Sequence, residues 1–339
     1  MKIAVDAMGG DYAPEAIVHG AVEAARFGKG EYEVVLVGDE AVVSTSLSRH
    51  FRVHELPIAV HPASEKIEMD ESPTAALKSK PDSSINVAMD LHRRGEVDAV
   101  VSAGHTGAAM GAAFMKLGRI AGVKRPAIGS LVPHEHGVTL LIDVGANIEC
   151  KAVHLQQFGV MGWIYMKNVY NIPEPRVALL NIGEEQSKGS SVIQEAHERL
   201  RQTHVNFVGN LEGRDIMRGK AEVIVCEGFV GNVVLKFAES FNGVYSKTLK
   251  RKIGKKVFSN LGAFLLRPTF ERLRRIYDYE EYGGAPLLGI NGTCIICHGS
   301  STPKAIKNGI KEAVMMIKQK VNEKICSELI GSREEKDGR

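Results

Sequence analysis

The sequence predicts an α/β fold, a three-layer αβα sandwich with a mostly parallel sheet. Short β-branched runs alternate with helical patterns from one end of the chain to the other, and most runs are apolar throughout, as strands covered on both faces must be. The predicted strands are KIAVDAM, YEVVLVG, VDAVVSAG, VTLLIDVG, RVALLNIG, AEVIVCEG and GTCIICHG. This alternation indicates a sheet that lies between two layers of helices.

Helical patterns fill the intervals between these strands, for example at residues 14–27, 83–94, 106–117 and 190–203. The chain has 339 residues, of which 44% are apolar and 24% are charged. It is therefore long enough to bury a large core and has the composition of a soluble globular protein. We expect a single large α/β domain over residues 1–339, with a helical hairpin inserted at about 240–280.

The composition of the chain and its N-terminal residues argue against several classes of protein. The sequence has no uncharged apolar run of about 18 residues, so we expect no membrane-spanning helix. Asp6 and Asp11 fall where a secretory signal would be apolar, which predicts a cytoplasmic protein. The five cysteines are odd in number and mostly lie in apolar runs, which favours reduced buried thiols. A net charge of +3 excludes a globally basic nucleic-acid binder, and we expect no nucleic-acid partner.

Six of the strand ends share a pattern of glycine and small polar residues that leads into a helix. The turns are DAMGGDYAPE (6–15), SAGHTGAAM (102–110), DVGANIEC (143–150), NIGEEQSKGS (181–190), EGFVGNVVLK (227–236) and HGSSTPKAIK (298–307). In a parallel sheet these turns would share one edge, where backbone N–H groups and helix N-termini form an anion site. The alternative is that glycine only ends strands and caps helices.

The stretch CIICHGSS (294–301) has the C-x-x-C-H pattern of haem attachment and the spacing of a redox dithiol. Cys294 and Cys297 lie three apart in an apolar run, on opposite faces of a strand, which favours buried structural thiols over both readings. His298 stands where this strand ends and a helix opens. That position suits proton transfer or oxyanion contact, the alternative being a structural histidine.

The sequence lacks the usual motifs of a nucleotide-binding site and of a metal site. The sequence contains no G-x-G-x-x-G, and GEEQSKGS (183–190) transposes the lysine and glycine of a P-loop. Lys188 is still a candidate to neutralise a phosphate, although an exposed loop lysine would look the same. No second Cys/His pair has ligand spacing, so we expect no bound metal.

The segment 247–275 breaks the α/β pattern, because it holds ten lysines and arginines against one acid, Glu271. Basic amphipathic stretches of this kind bind anionic membrane surfaces, and we expect Phe264, Leu265 and Leu266 to contact the lipid. The alternative is a helical hairpin that packs on a sister subunit, and both can hold. Single-stranded nucleic acid fits less well, because stacking platforms are scarce.

The motifs DAMGGD, SAGHTGA, DVGAN, LLNIGEE with KG, CEGFVGNVVLK, YGGAPLLG and HGSS occur in the order found in bacterial acyl-[acyl-carrier-protein]:phosphate acyltransferases, which the chain resembles from Met1 to about residue 315. The resemblance implies a fold like that of isopropylmalate dehydrogenase and phosphotransacetylase, a homodimer, and peripheral association with an anionic membrane surface. It also implies that inorganic phosphate attacks a fatty acyl thioester on acyl carrier protein and gives acyl phosphate, without a cofactor.

This implied reaction mainly requires that two reactants be held in line and the oxyanion be stabilised. We expect Lys188, His298 and Ser300 to be catalytic, Lys188 by contacting phosphate and the other two by assisting the carbonyl oxygen or protonating the sulfur. Asp6 and Asp143 would orient hydrogen-bond donors. The residues expected to bind phosphate and acyl phosphate are Gly9, Gly10, Asp11, Ser102, Gly104, His105, Thr106, Asn147 and Asn232. The family favours asparagine where this chain has His105.

Three alternatives to this function stay open. The nearest is a phosphate acyltransferase that uses coenzyme A thioesters. A metal- and NAD-dependent decarboxylating dehydrogenase would share the fold but need a set of metal-binding aspartates. A non-catalytic membrane scaffold would keep the basic segment without needing polar residues at the strand ends.

Overall fold

A computed structural model describes residues 1–134, 136–253, 266, 268–269 and 279–337. The strands in these ranges are β1 (Lys2–Asp6), β2 (Glu33–Gly38), β3 (Ile58–Pro62), β4 (Ala99–Ser102), β5 (Ala127–His134), β6 (Gly137–Ile142), β7 (Arg176–Leu180), β8 (Asn206–Leu211), β9 (Val223–Val225), β10 (Ala285–Leu288) and β11 (Thr293–Ile296). They form one 11-stranded sheet in the order β3-β2-β1-β4-β11-β10-β5-β6-β9-β7-β8.

Helices connect most of the strands. They are α1 (Glu15–Gly28), α2 (Glu40–Ser48), α3 (Pro73–Ser79), α4 (Ser84–Arg93), α5 (Thr106–Leu117), α6 (Ala152–Val169), α7 (Ser191–Arg201), α8 (Gly228–Ile253), α9 (Pro303–Lys318) and α10 (Val321–Asp337). Short 3₁₀ turns cover Val53–Glu55, Gly213–Arg218 and Tyr279–Tyr282. The helices predicted from the sequence are present with ends that differ by at most two residues.

The sheet is covered by helices on both faces. Ile3 and Val5 of β1 belong to an apolar core shared with α1, α6, α7, α9 and α10. Ala4, whose side chain points the other way, belongs to a second core shared with α3, α4 and α5. Successive residues of a central strand are thus both buried, which is why the predicted strands are apolar throughout. The predicted three-layer α/β architecture is confirmed.

Strand direction divides the sheet into two halves. The strands β3, β2, β1, β4 and β11 run parallel to one another, and so do β6, β9, β7 and β8. Between the halves, β10 is antiparallel to β11 and to β5, and β5 is antiparallel to β6. Three antiparallel pairings in succession make the second half run opposite to the first.

This reversal corrects one expectation from the sequence, that all six glycine-containing turns share an edge. The turns after β1, β4 and β11 lie at the edge of the sheet where the strands of the first half end, and the turns after β6, β7 and β9 lie at the opposite edge, where the strands of the second half end.

Four strands were not recognised in the sequence: β3, β5, β8 and β10. Two of them, β3 and β8, are the edge strands of the sheet and are partly exposed, while β5 contains Pro133 and β10 has only four residues. None of the four has the long apolar run of a central strand, and β5 and β10 carry the reversal.

The predicted hairpin at about 240–280 falls mostly outside the described residues. Helix α8 extends to Ile253, and Leu266 is 52% exposed, whereas Phe264 and Leu265 lie outside the described ranges. Within those ranges, no helix has the length and apolar character needed to cross a bilayer. The hairpin and its lipid contacts therefore stay predictions.

We expect Gly231→Ala to destabilise the fold, because α8 begins directly over the end of β6. A Cβ at position 231 would lie 1.9 Å from the backbone oxygen of Asp143. Overpacking of this kind costs about 1–3 kcal/mol, more than the gain of about 1 kcal/mol for alanine over glycine in a helix. Thermal unfolding of the variant should show a lower Tm.

The matched control for this prediction is Gly331→Ala in α10, where a Cβ would meet nothing within 4 Å. Its Tm should be equal to that of the wild type or slightly higher. An unchanged Tm for Gly231→Ala would contradict the close approach of α8 to β6.

Candidate active site

A buried carboxylate, Asp6, organises the turns after β1 and β4. Its Oδ1 accepts a hydrogen bond of 2.6 Å from the Ser84 hydroxyl, and its Oδ2 accepts one of 2.6 Å from the Ser102 hydroxyl. The Ser102 Oγ in turn accepts from the backbone N–H of Gly104 at 3.1 Å. Burial raises the pKa of Asp6, and the hydrogen bonds from Ser102 and Ser84 oppose that rise.

Glycine at position 9 is required by the close contact of these two turns. A Cβ there would lie 2.5 Å from Asp6 Oδ2 and 2.7 Å from the Gly104 nitrogen. Asp6, Gly9, Ser102, Gly104 and His105 line one small cavity between the two strand ends. Five of the residues predicted from the sequence are thus neighbours in the structure.

His105 is the N-cap residue of α5, directly before Thr106. Its Nδ1 accepts a hydrogen bond from the backbone N–H of Gly107 at 3.1 Å. Asparagine is among the best N-cap residues because its side-chain oxygen accepts the same kind of bond. The histidine of this chain therefore supplies the local contact that an asparagine would make.

The end of β11 joins the same group of turns. The backbone N–H of Asp11 donates to the Gly299 oxygen at 2.8 Å. His298 lies next to that contact, with its Nδ1 2.8 Å from the Ser300 Oγ and its Nε2 3.0 Å from the Nζ of Lys236. We call these turns after β1, β4 and β11 the first group.

A second buried carboxylate, Asp143, organises the opposite edge of the sheet. Its oxygens accept from the backbone N–H groups of Ile128, Ala146 and Asn147 at 2.7–3.1 Å. The side-chain amide of Asn147 also donates to it, at 2.9 Å. Burial raises the pKa of Asp143 against these hydrogen bonds.

Helix α8 starts at this second carboxylate and leads back towards the first group. The N–H of Gly228 donates to the Asn147 oxygen at 2.7 Å, and Asn232 lies beside the turn at Gly145. We call Asp143, Asn147 and Asn232 the second group. From Gly228 to Lys236, which contacts His298, the helix advances about 12 Å, so Asp143 and Asn147 lie about that far from the first group along α8, and Asn232 lies about half as far.

Lys188 lies away from both groups in the described part of the chain. Its loop follows β7, two strands from β6 and so about 10 Å along the sheet. The loop is held by Asn181, whose side-chain amide donates to the Lys188 oxygen at 3.1 Å, and by Asn210, whose amide donates to the Glu185 oxygen at 3.0 Å.

The cysteines of the C-x-x-C-H pattern are buried on opposite faces of the sheet, as predicted. Cys294 belongs to one apolar core and Cys297 to the other, and their exposed fractions are 0% and 2%. Burial raises the pKa of each thiol to about 12, so neither is a thiolate at neutral pH.

Three contact residues were not singled out in the sequence: Ser84, Lys236 and Glu239. Ser84 opens α4, far from Asp6 in sequence, and has no local pattern that marks it. Lys236 and Glu239 are placed by α8, where Asn232, Lys236 and Glu239 recur at helical spacing. This helical spacing was the one feature of the sequence that could have identified Lys236 and Glu239 as contact residues.

Comparison with solved structures supports the fold. The chain is similar to a phosphotransacetylase from Streptococcus pyogenes, with a TM-score of 0.60, 19% identity and 94% of each chain covered. It is also similar to a 4-hydroxythreonine-4-phosphate dehydrogenase from Klebsiella pneumoniae, with a TM-score of 0.53, 14% identity and 93% and 98% coverage. At these identities the likeness shows the architecture alone.

Comparison with known sequences shows the family. Residues 1–324 match the family described as "Fatty acid synthesis protein". A phosphate acyltransferase from Pelotomaculum thermopropionicum is 49% identical, over 97% of this chain and 95% of its own length. One from Thermodesulfovibrio yellowstonii is 47% identical, over 99% and 96%. The chain therefore belongs to the fatty acid synthesis protein family and, within it, to the phosphate acyltransferases, as an enzyme that transfers an acyl group.

Proposed function

We propose that this enzyme transfers a fatty acyl group from the thioester of acyl carrier protein to inorganic phosphate, giving acyl phosphate for phospholipid synthesis. The observation that carries the proposal is the first group, where a buried carboxylate orders hydroxyl and amide donors beside His298 and Ser300. The relatives of this chain are named phosphate acyltransferases, and its family is described as "Fatty acid synthesis protein". Together these favour phosphate as the acceptor and a fatty acyl group as the cargo.

The chemistry needs no group that the chain lacks. A phosphate oxygen forms a bond to the thioester carbonyl carbon, the carbon–sulfur bond breaks, and the departing thiolate takes up a proton. Phosphate is already an anion, so the enzyme mainly has to align the reactants and stabilise the tetrahedral oxyanion. Small polar side chains and amide donors at strand ends are suited to that task.

In this proposal the phosphate oxygens are bound by Gly9, Gly10, Asp11 and residues 102–106 of the first group, with Asn232 one turn of α8 before Lys236. The side-chain amide of Asn147 donates to Pro126 and Asp143, and Lys188 lies in a loop away from both groups, so neither completes this site in the structure. His298 and Ser300 contact the carbonyl oxygen or protonate the sulfur. Asp6 and Asp143 hold donors in place, since their oxygens already accept several hydrogen bonds. The nucleophile needs no carboxylate base.

Incubation with acyl carrier thioester should release thiol only when inorganic phosphate is present, and acyl phosphate should form in equal amount. The measurement is thiol release followed with a chromogenic reagent. Replacing the carrier thioester by acyl coenzyme A tests the nearest alternative, and a larger kcat/KM with coenzyme A would overturn the choice of donor. A change in nicotinamide absorbance with a hydroxy acid would instead favour the dehydrogenase.

His298→Ala should lower kcat by about 10²–10³ if the imidazole stabilises the oxyanion. Lys188→Ala tests the contact with phosphate that the sequence predicts for its ammonium, although its loop lies away from both groups; a raised KM for phosphate would support that contact. The control is His54→Ala, a histidine whose side chain is 80% exposed, which should leave both constants unchanged. Wild-type turnover in both site variants would remove His298 and Lys188 from the mechanism.

We further propose that the enzyme is a cytoplasmic homodimer that binds anionic membranes through the basic segment 247–275. The support is the charge of that segment together with an acyl product that must reach lipid-synthesising enzymes. Acyl carrier protein is the second partner.

Leu265→Glu should weaken binding to vesicles of anionic lipid several-fold while activity on the soluble carrier stays at the wild-type level, because a carboxylate is expelled from the acyl boundary. Vesicle co-sedimentation measures the binding. The control is Phe51→Glu, at an apolar side chain that is 80% exposed elsewhere on the surface. Equal binding of Leu265→Glu and wild type would reject the lipid contact.

A further inference from the structure

A lysine, a glutamate and a histidine meet where α8 passes the first group. The Nζ of Lys236 lies 3.0 Å from the Nε2 of His298 and 2.8 Å from the Oε2 of Glu239. The same glutamate oxygen lies 4.0 Å from His298 Nε2. The side chains of Lys236 and His298 are 51% and 43% exposed, so a small solute can reach both.

The contact with the backbone of Ser300 assigns a tautomer to the ring of His298. The backbone N–H of Ser300 points at Nδ1 from 3.2 Å, and a backbone N–H can only donate. Nδ1 is therefore the acceptor, and the proton of the neutral ring lies on Nε2. The Ser300 hydroxyl, 2.8 Å from Nδ1, donates to the same atom.

Two donors consequently face one another across 3.0 Å, the Nε2–H of His298 and the ammonium of Lys236. Neither can accept from the other, since an ammonium has no acceptor. Such a pair is favourable only with a shared acceptor. The Glu239 carboxylate accepts from Lys236 at 2.8 Å but lies 4.0 Å from Nε2, beyond hydrogen-bond distance, so it occupies only the lysine side of an anion site.

The position of this pair matches the reaction. Asn232, Lys236 and Glu239 follow one another along one side of α8 at intervals of four and three residues, so the helix carries polar groups from the second group to the first. His298 adjoins the turn that contains Asp11 and Gly299, which are hydrogen-bonded at 2.8 Å. The pair thus lies at the first group, on the side that α8 approaches from the second group.

We propose that Lys236 binds an oxygen of the phosphate substrate beside His298, whose Nε2–H is left for the carbonyl oxygen, and that Glu239 occupies Lys236 when phosphate is absent and withdraws when it binds. The proposal deepens the proposed function and rests on phosphate being the acceptor. Lys236 is a direct ligand in it, and Glu239 is an internal competitor that sets the affinity for phosphate.

The test is binding of inorganic phosphate to the full chain by isothermal titration calorimetry, with no acyl donor present. Lys236→Met should weaken binding about 10-fold or more, the usual cost of losing a charge-assisted hydrogen bond. Glu239→Gln should tighten binding several-fold, because the competing charge is removed. Unchanged affinity in Lys236→Met would overturn the proposal.

The double variant Lys236→Met/Glu239→Gln distinguishes competition between Glu239 and phosphate for Lys236 from a general effect of charge on phosphate affinity. If Glu239 competes for Lys236, the gain from Glu239→Gln should be clearly smaller in the Lys236→Met background. An equal gain in both backgrounds would overturn the competitive role. Lys318, at the end of α9, forms an exposed ion pair with Glu31, which follows α1. The variants Lys318→Met and Glu31→Gln are therefore matched controls and should bind phosphate like the wild type.

Two further measurements keep the outcome clear. Circular dichroism and Tm identify any variant that fails to fold, and Lys236→Arg, which keeps the charge, should retain part of the affinity. In the enzymatic assay, Lys236→Met should raise the KM for phosphate more than it lowers kcat. Lys236-dependent phosphate binding without any acyl phosphate product would contradict the proposed function alone, whereas acyl phosphate formation with an unchanged phosphate KM would contradict this inference alone.

Discussion

The reversal of strand direction at the centre of the sheet is the constraint on which the site depends. Because β10 and β5 insert antiparallel pairings, polar strand ends appear at both edges of the sheet and not at one. A single crevice at one edge, as in a simple parallel sheet, is therefore not available. Helix α8 compensates for this, since it starts at the second group and reaches the first within three turns.

Each half of the sheet has its own buried carboxylate, and the two have similar surroundings. Asp6 is 3% exposed and Asp143 is 0% exposed, and both accept hydrogen bonds from serine hydroxyls, an asparagine amide or backbone N–H groups. Burial raises both pKa values, because removal from water disfavours the ionised carboxylate, and the hydrogen bonds that each one accepts oppose that rise. Because these carboxylate oxygens already accept hydrogen bonds, they hold the turns around them in place.

The fold class and the local residues of the site were predictable from the sequence, and their mutual placement was not. Continuous apolar strands and glycine-containing turns identified the layers and most candidate residues, because burial and turn geometry leave a local pattern. Strand direction leaves none: β5 and β10 have weak patterns, so the separation of Asn147 from Ser102 was invisible. Ser84 and Lys236 were missed for the same reason, as each becomes relevant only through a contact between distant segments.

The pairing of β11 with β4 has a consequence for biosynthesis. Thr293 aligns with Ala99 and Ile296 with Ser102, so β11, which leads to His298, joins β4 only after all the residues between these two strands have been synthesised. Until then the side of β4 that faces away from β1 has no neighbouring strand. Its backbone N–H and C=O groups on that side are unpaired and can pair with other chains. Protection by chaperones during translation would matter most in that interval.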